Sequence, residues 1–370
     1  MNDMAGSGSG VRAQRSADSQ RSADTVAVTG AAGGIGLRVA SELAAAGDCK
    51  KVIGIDKARA DVPGVTWRRA DVRDPALRSR LSGVDTVVHL ATDRRSDAPA
   101  VERRTVNVRG TDTVLAAAAA SGVTRVVLLT SAMVYGANAS NPVPLPDDAP
   151  IRAEPDLSLV GDWVEMERLA SVTARAHPSM EIVVVRPVSV VGAGTDAFLS
   201  RLFEAPRLLA IKDVEAHWQF CHADDLVAAL VWAALRRVGG SFTVASRGWL
   251  SQEDVERISG LRSLVVPASM AFGAAERLHR VGVLPADELH YLAHPWVVSS
   301  DRLAAAGWEP AWDNESALRE HLDALGDRVG RGLPRLQRKD ATRAAAGATV
   351  ALVGTVAIAR ARAARRRRRG

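Results

Sequence analysis

The stretch TVAVTGAAGGIG, residues 25–36, decides how this 370-residue chain folds. It opens with the β-rich run 25–29, passes through closely spaced glycines and leads into a helical pattern that ends at Ala46. A strand, a glycine-rich turn and a helix in this order indicate the first unit of a Rossmann-type domain. In such a unit a dinucleotide pyrophosphate lies on the free N–H groups at the helix N-terminus.

The glycines of this turn have separate predicted roles. Gly30 allows the tight turn, Gly33 lets the backbone approach a pyrophosphate, and Gly36 lets the helix pack closely on the strand. Gly34 and Ile35 complete the predicted cofactor-binding loop. A glycine-rich turn that binds no nucleotide is the alternative.

Asp56 ends the next β-rich run, 20 residues after Gly36. A carboxylate at this place can accept both hydroxyls of an adenosine ribose, and it repels a 2′-phosphate. Asp56 therefore favours NAD over NADP as the cofactor, while the neighbouring cations Lys57 and Arg59 weaken that preference.

Further β-rich runs alternate with helical stretches along the first half of the chain. Their Val, Ile and Leu residues are continuous rather than alternating, which is typical of strands buried on both faces. The pattern predicts the α/β class, with a Rossmann-type doubly wound parallel sheet and a smaller C-terminal substrate lobe. The predicted strands are 25–29, 51–55, 65–69, 85–89, 125–129 and 180–185, and the predicted helices include 101–121, 223–237, 252–259 and 316–325.

The chain divides into four predicted segments. Residues 1–24 have too few apolar side chains to offset the entropy of ordering and are predicted to be disordered. Residues 25–191 form the predicted NAD-binding domain, 192–330 the substrate lobe and 331–370 a basic tail with a short apolar segment.

Positive charge is concentrated in the tail. The chain carries a net charge of +6, and residues 331–370 hold twelve Lys and Arg against one acid, so they contribute +11 and the rest sums to −5. This distribution argues against a nucleic-acid-binding domain. Residues 344–359 are uncharged but, at about 24 Å of helix, too short to span a bilayer. Residues 343–370 are therefore predicted either to associate with an anionic membrane surface or to form a frayed, solvated tail.

The two cysteines, Cys49 and Cys221, are too few for a disulfide framework and fit no metal-ligand spacing. The sequence therefore predicts a protein of the reducing cytoplasm without a bound metal. The N-terminus has no apolar segment typical of a secretory signal, which agrees with this prediction. A homodimer is compatible with the sequence but is not indicated by any motif.

Several short motifs together resemble the extended short-chain dehydrogenase/reductases, the NAD-dependent epimerase/dehydratase family. They are Ala70-Asp71-Val72, His89-Leu90-Ala91, Asn107-Val-Arg-Gly-Thr111, Thr130-Ser131-Ala-Met-Val-Tyr135-Gly136 and Arg186-Pro187. The resemblance implies NAD as cofactor and a nucleotide-sugar as the small-molecule substrate. It also implies cofactor-binding roles for Asp71 and Val72 at the adenine, Leu90 and Ala91 beneath the cofactor, Asn107 near the site and Pro187 at the nicotinamide.

The resemblance breaks at the catalytic pair, so the chain is an atypical member. Active members carry Tyr-x-x-x-Lys, whereas alignment of the helix near Asp162 places Leu159 and Trp163 at these two positions. Neither tyrosine of the chain precedes a lysine by four residues. Since hydride transfer to or from a carbinol needs a proton acceptor within reach, Ser131 and Tyr135 remain as candidates for the catalytic groups.

Two functions therefore stay open. One is an epimerase/dehydratase-like oxidoreductase or isomerase that acts on a nucleotide-sugar-like substrate without the usual pair. The other is a catalytically inactive NAD-binding regulatory or scaffold protein. Asp156 and Asp162 lie near the missing pair and are predicted to be solvated acids at a helix start.

Overall fold

The computed structural model describes residues 25–94, 98–192, 202–205, 207–236, 239–273 and 289–330. The segment 1–24, predicted to be disordered, lies outside the described residues. So does the basic tail 331–370 with its predicted membrane-binding stretch.

A seven-stranded sheet forms the centre of the molecule, and all its neighbouring strands are parallel. Its strand order is β11-β6-β5-β4-β1-β2-β3, which confirms the predicted doubly wound Rossmann-type α/β fold. The strands are β1 Thr25–Thr29, β2 Lys51–Asp56, β3 Val65–Arg69, β4 Thr86–His89, β5 Arg125–Leu129, β6 Glu181–Pro187 and β11 Gly240–Val244.

Several helices of the described residues flank the sheet, and the longer ones cover it. They are α1 Gly34–Ala46, α2 Leu77–Arg80, α3 Ala100–Arg104, α4 Gly110–Ala120, α5 Leu159–Ala176, α6 Ala223–Leu235, α7 Gln252–Ser259, α8 His290–Ala293, α9 Asp301–Ala305 and α10 Asn314–Gly330. A π-helical turn, Thr105–Arg109, joins α3 to α4, and a short 3-10 helix, Ala132–Tyr135, follows β5.

Strands β1 and β4 lie at the switch point of the sheet. The chain proceeds outward from β1 through β2 to β3, then returns to β4 and proceeds outward the other way through β5 to β6. Loops that leave adjacent strands at a switch point separate from each other and leave a crevice at the carboxyl edge. The segments after Thr29 and His89 border that crevice.

Both faces of the sheet are buried at its central strands β1, β4 and β5, as the continuous apolar runs predict, whereas β3 at the edge is half-buried or exposed along its length. In β1, Val26 and Val28 belong to the larger hydrophobic cluster and Ala27 belongs to the smaller one. The alternation follows from the two-residue period of a strand.

The seventh strand comes from beyond residue 191, the predicted end of the Rossmann domain. Strand β11 pairs with β6, and helix α6 packs against both of them. The sheet is therefore not confined to 25–191. The smaller strands of the second half form three pairs: β7 Ser189–Val191 with β10 Phe220–His222, β8 Leu208–Ile211 with β13 Ser263–Val266, and β9 His217–Trp218 with β12 Leu250–Ser251.

Candidate functional site

The first glycine of the loop is held tightly between strands. Gly30 has a φ of +71° and donates its backbone N–H to the Ile55 carbonyl at 2.9 Å. A Cβ at Gly30 would lie 2.8 Å from the Ala91 nitrogen. This position therefore excludes every side chain, both by its conformation and by the segment that follows β4.

The remaining glycines divide into one packed position and two open ones. A Cβ at Gly36 would lie 2.1 Å from the Gly30 carbonyl oxygen, so the start of α1 rests directly on the turn. A Cβ at Gly33 or Gly34 would meet no atom within 4 Å, and Gly34 has a φ of +53°. This open space at the helix N-terminus fits a pyrophosphate. Ile35, in contrast, is half-buried against the core.

Asp56 connects the end of β2 to the glycine loop. Its Oδ2 accepts the Ala32 N–H at 3.1 Å, and its Oδ1 accepts the Ala58 N–H at the same distance. The carboxylate is half-buried at the carboxyl edge. It is therefore fixed beside the turn, at the place where a ribose would meet it.

Asp71 is already paired within its own motif. Arg73 donates to its two carboxylate oxygens at 2.9 and 2.6 Å, and this hydrogen bonding lowers the pKa of Asp71 to about 2. An adenine amino group would share the carboxylate with Arg73. Val72 is buried and packs where the backbone of Gly110 passes.

His89 fastens the end of β4 to its neighbours. Thr29 and Thr111 contact its two ring nitrogens at 2.7 and 3.1 Å, and burial lowers the pKa of His89 to about 4. The Thr29 hydroxyl also accepts the N–H groups of Leu90 and Ala91 at 3.2 and 3.3 Å. The segment predicted to pass beneath the cofactor is thereby held against β1.

Asn107 lies in the π-helical turn and is fully buried. Its amide oxygen accepts the Asp93 N–H at 2.7 Å, and its amide nitrogen donates to the Asp93 carbonyl at 3.0 Å and to Asp162 Oδ2 at 3.1 Å. It therefore ties the segment after β4 to the first turn of α5.

The structure corrects the prediction that Asp162 is a solvated helix-start acid. Asp162 is fully buried, and it binds Arg103 Nε at 2.9 Å and Arg104 Nη1 at 3.2 Å. Its local sequence is typical of an exposed helix start, but α3 covers α5 and brings two arginines to it. Its carboxylate oxygens therefore bind protein donors.

Ser131 caps the short helix after β5. Its Oγ accepts the Met133 N–H at 3.2 Å and donates to the Pro187 carbonyl at 3.4 Å. It thus lies between the ends of β5 and β6, beside the residue predicted at the nicotinamide. Its side chain is buried.

Tyr135 points into the protein. Its hydroxyl donates to the Asp147 carbonyl at 2.8 Å and accepts from Arg186 Nη1 at 2.9 Å, and the side chain is fully buried. Burial raises the pKa of Tyr135 above its ordinary value. This geometry does not present the hydroxyl to a ligand.

Arg186 forms a buried ion pair with Glu167 beneath Tyr135. Its Nε donates to the Glu167 carboxylate at 3.0 Å, and Thr130 donates to the same oxygen at 2.7 Å. Burial alone would lower the pKa of Arg186, but the hydrogen bonds and charge of Glu167 raise it.

Leu159 and Trp163 lie in the first two turns of α5, which Ser158 caps by accepting the Gly161 N–H at 2.9 Å. The four-residue spacing places both on one face of the helix. Trp163 is buried in the larger hydrophobic cluster, and Leu159 packs against that cluster. The guanidinium carbon of Arg94 lies 5.4 Å from the Trp163 ring centroid.

Sequence reasoning missed the roles of Arg94, Arg103 and Glu167. The only local signal is the position of Arg94 shortly after β4 and of Arg103 shortly before Asn107. Neither position reveals a partner on α5, because the partners are distant in the chain.

The described residues offer neither a metal-binding cluster nor a membrane-spanning helix. No group of three or more His, Cys, Asp or Glu side chains there is arranged to hold a metal ion. Within the same residues, no helix combines the length and apolar character needed to cross a bilayer.

A family model and several known proteins are similar to this chain in sequence. A family model described as "NAD dependent epimerase/dehydratase family" matches residues 26–245. An uncharacterized protein of Mycobacterium tuberculosis (strain ATCC 25618 / H37Rv) is 28% identical over 267 residues, which cover 70% of this chain and 71% of that protein.

Solved structures share the fold at low sequence identity. One, described as MoeE5 in complex with UDP-glucuronic acid and NAD, is 23% identical with a TM-score of 0.62, covering 82% of this chain and 99% of that one. Another is the UDP-N-acetylglucosamine 4-epimerase from Methanobrevibacter ruminantium M1 in complex with UDP-N-acetylmuramic acid. It is 19% identical with a TM-score of 0.64, covering 83% of this chain and 99% of that one.

Proposed function

The chain belongs to the NAD dependent epimerase/dehydratase family, and we propose that it binds NAD at the carboxyl edge of its sheet and acts there on a nucleotide-sugar. The proposed reaction is of the epimerase/dehydratase type and proceeds without the Tyr-x-x-x-Lys pair. Two solved neighbours are described with UDP-sugars, one of them together with NAD, and this supports the proposed ligand class.

The observation that carries the proposal is the glycine loop beside Asp56. Gly33 and Gly34 leave open space at the start of α1, where backbone N–H groups can bind a pyrophosphate. Asp56 is fixed at the end of the neighbouring strand, where it can accept ribose hydroxyls. NAD bound in this position would supply a hydride acceptor, and the Ser131 hydroxyl, at the ends of β5 and β6, donates to the carbonyl of the proposed nicotinamide residue Pro187 at 3.4 Å.

A second candidate is a regulatory or scaffold protein that binds NAD without turnover. The observation favouring it is that Leu159 and Trp163 offer no proton acceptor, while the Tyr135 hydroxyl is bound to Asp147 and Arg186. Both candidates require NAD binding, and they differ only in turnover.

The cofactor proposal is tested by titrating NADH and NADPH against the wild type and an Asp56→Ala variant. We expect tighter binding of NADH by the wild type. Loss of a charged acceptor should weaken NADH binding in the variant by about 1.5–3 kcal/mol, which is roughly a ten- to hundredfold rise in Kd.

Asp74→Ala is the matched control, since Asp74 also accepts a backbone N–H, from Ala76 at 2.8 Å, but in an exposed turn. It should leave NADH binding unchanged. Equal or tighter binding of NADPH by the wild type would contradict the assignment of Asp56.

A further inference from the structure

Arg94 brings a cation to the carboxyl edge of the sheet at the switch point. It follows the end of β4, and the preceding residue, Asp93, is held in place by two hydrogen bonds to Asn107. Ala91 lies three residues earlier and packs against Gly30 of the glycine loop. At most about 11 Å of backbone therefore separates Arg94 from the residue that contacts this loop. Arg94 therefore borders the crevice where a ligand of this fold binds.

The guanidinium of Arg94 has an aromatic neighbour and, within the described part of the chain, no carboxylate as counter-ion. Its Cζ lies 5.4 Å from the Trp163 ring centroid. This contact orients the group and does not itself engage the N–H donors. Among the residues that the structure describes, no carboxylate forms an ion pair with Arg94. The side chain is half-buried, and loss of solvation lowers the pKa of Arg94.

The acid closest in sequence to Trp163 is already neutralised. Asp162 binds Arg103 at 2.9 Å and Arg104 at 3.2 Å, and it accepts a further hydrogen bond from Asn107. It therefore does not balance Arg94. A cation withdrawn from water without a partner is unfavourable, and a bound anion would remove that cost.

The kind of cation is also informative. At the position of the missing lysine stands Trp163, and the positive charge beside it comes from the segment after β4 instead. A guanidinium presents a planar fork of donors that matches the two oxygens of a carboxylate or phosphate, which a lysine ammonium does not.

We propose that Arg94 binds an oxyanion, a carboxylate or a phosphate group, of the small molecules that occupy this cleft. The proposal deepens the proposed function and rests on it for the identity of those molecules. The oxyanion has two sources, the NAD diphosphate and the nucleotide-sugar, and the experiment separates them.

The test compares wild type with Arg94→Met, which keeps an apolar side chain against Trp163 and removes the charge. Arg175→Met is the matched control, because Arg175 is exposed near the far end of α5, the helix that carries Trp163. Binding of inorganic pyrophosphate, NADH, UDP-glucose and UDP-glucuronic acid is measured by calorimetry. We expect Arg94→Met to weaken at least one of them by on the order of tenfold or more.

The pattern of loss identifies the source. Weaker NADH alone indicates the cofactor phosphate, equal loss for both UDP-sugars indicates their diphosphate, and loss for UDP-glucuronic acid alone indicates a sugar carboxylate. Unchanged affinity for all four ligands would overturn the proposal. A wild type that binds pyrophosphate through Arg94 but not NADH would contradict the proposed function and leave this inference standing. A wild type that binds none of the four would overturn both.

Thermal unfolding without ligand distinguishes a binding role from a structural one. If Arg94 binds an anion of the ligand, Arg94→Met should have an unchanged or higher Tm without ligand. Its ligand-induced rise in Tm should be smaller than that of the wild type. A lower Tm without ligand, together with wild-type affinities, would mean that Arg94 only supports Trp163, and the proposal would be wrong.

Discussion

The two ends of the cleft use their polar groups in opposite ways. At the cofactor end, the loop from Gly30 to Gly36, the start of α1 faces open space beside Asp56. At the predicted catalytic end, around Tyr135 and Trp163, the polar groups bind one another. Tyr135 is bound to Asp147 and Arg186, and Glu167 to Arg186.

This difference indicates that the glycine loop is available to bind a ligand, whereas the polar groups around Tyr135 are bound within the protein. Backbone N–H groups at a helix start are present in every residue except proline, so most substitutions leave the anion-binding groups of a glycine loop in place. Proton transfer, in contrast, depends on individual side chains, and Leu159 and Trp163 supply none. Binding and chemistry can therefore change independently on one fold.

The largest expected effect would come from restoring the pair. Under the proposed function, wild-type turnover of UDP- and dTDP-sugars should be very slow while NADH still binds, and complete absence of turnover would favour the regulatory or scaffold candidate. Leu159→Tyr combined with Trp163→Lys should raise turnover by about 10²–10⁴-fold, the usual contribution of an acid/base group. Product formation is followed by chromatography.

The two single variants are the controls for this prediction. A tyrosine alone keeps a pKa near 10, and a lysine alone is a buried charge without a partner, so neither should raise turnover. Fast turnover by the wild type would contradict the contrast between the two ends, because another group at the predicted catalytic end would then be acting as the base.

A second test concerns the internal bonding of the catalytic end. Glu167→Gln leaves Arg186 buried and uncompensated, and it should lower the free energy of unfolding by about 3 kcal/mol. Glu165→Gln, in the same helix, breaks a more exposed pair with Arg168 and should cost less than about 1 kcal/mol. Urea unfolding measures both, and equal losses would show that the buried network is not what stabilises this end.

A third effect, at most as large as the second, is a pH dependence at His89, which lies where the two ends meet. The unfolded chain takes up the His89 proton near pH 6.5, whereas burial lowers the folded pKa to about 4. Protonation therefore favours unfolding. The free energy of unfolding should fall by up to about 3 kcal/mol as the pH drops from 6.5 to 4.

His89→Gln tests this assignment, since it removes the titrating group and should flatten the stability profile between these pH values. His177→Gln, at the exposed end of α5, is the control and should retain the wild-type slope. An unchanged slope in His89→Gln would assign the acid sensitivity to other groups.

The predicted strands β1 to β6 agree with the structure to within two residues at every end, and the glycine loop lies where it was predicted. These elements can be predicted because a strand buried on both faces is a continuous apolar run, and a turn before a helix is a run of consecutive glycines and small residues. Both patterns lie in adjacent residues. The contribution of β11 was not predicted. Its sequence, Gly240–Val244, begins with a polar and flexible pair, and only its pairing with β6 marks it as part of the sheet.

What the sequence alone determined is the Rossmann-type fold, the places of Gly30, Gly36 and Asp56, and the absence of a Tyr-x-x-x-Lys pair. Only the tertiary structure decided that Asp162 is buried on Arg103, 59 residues away, and that Arg94 stacks on Trp163. The reason is physical. Backbone conformation and helix starts depend on neighbours in the chain. The partner of a charged side chain depends on which distant elements the parallel sheet brings to the same edge.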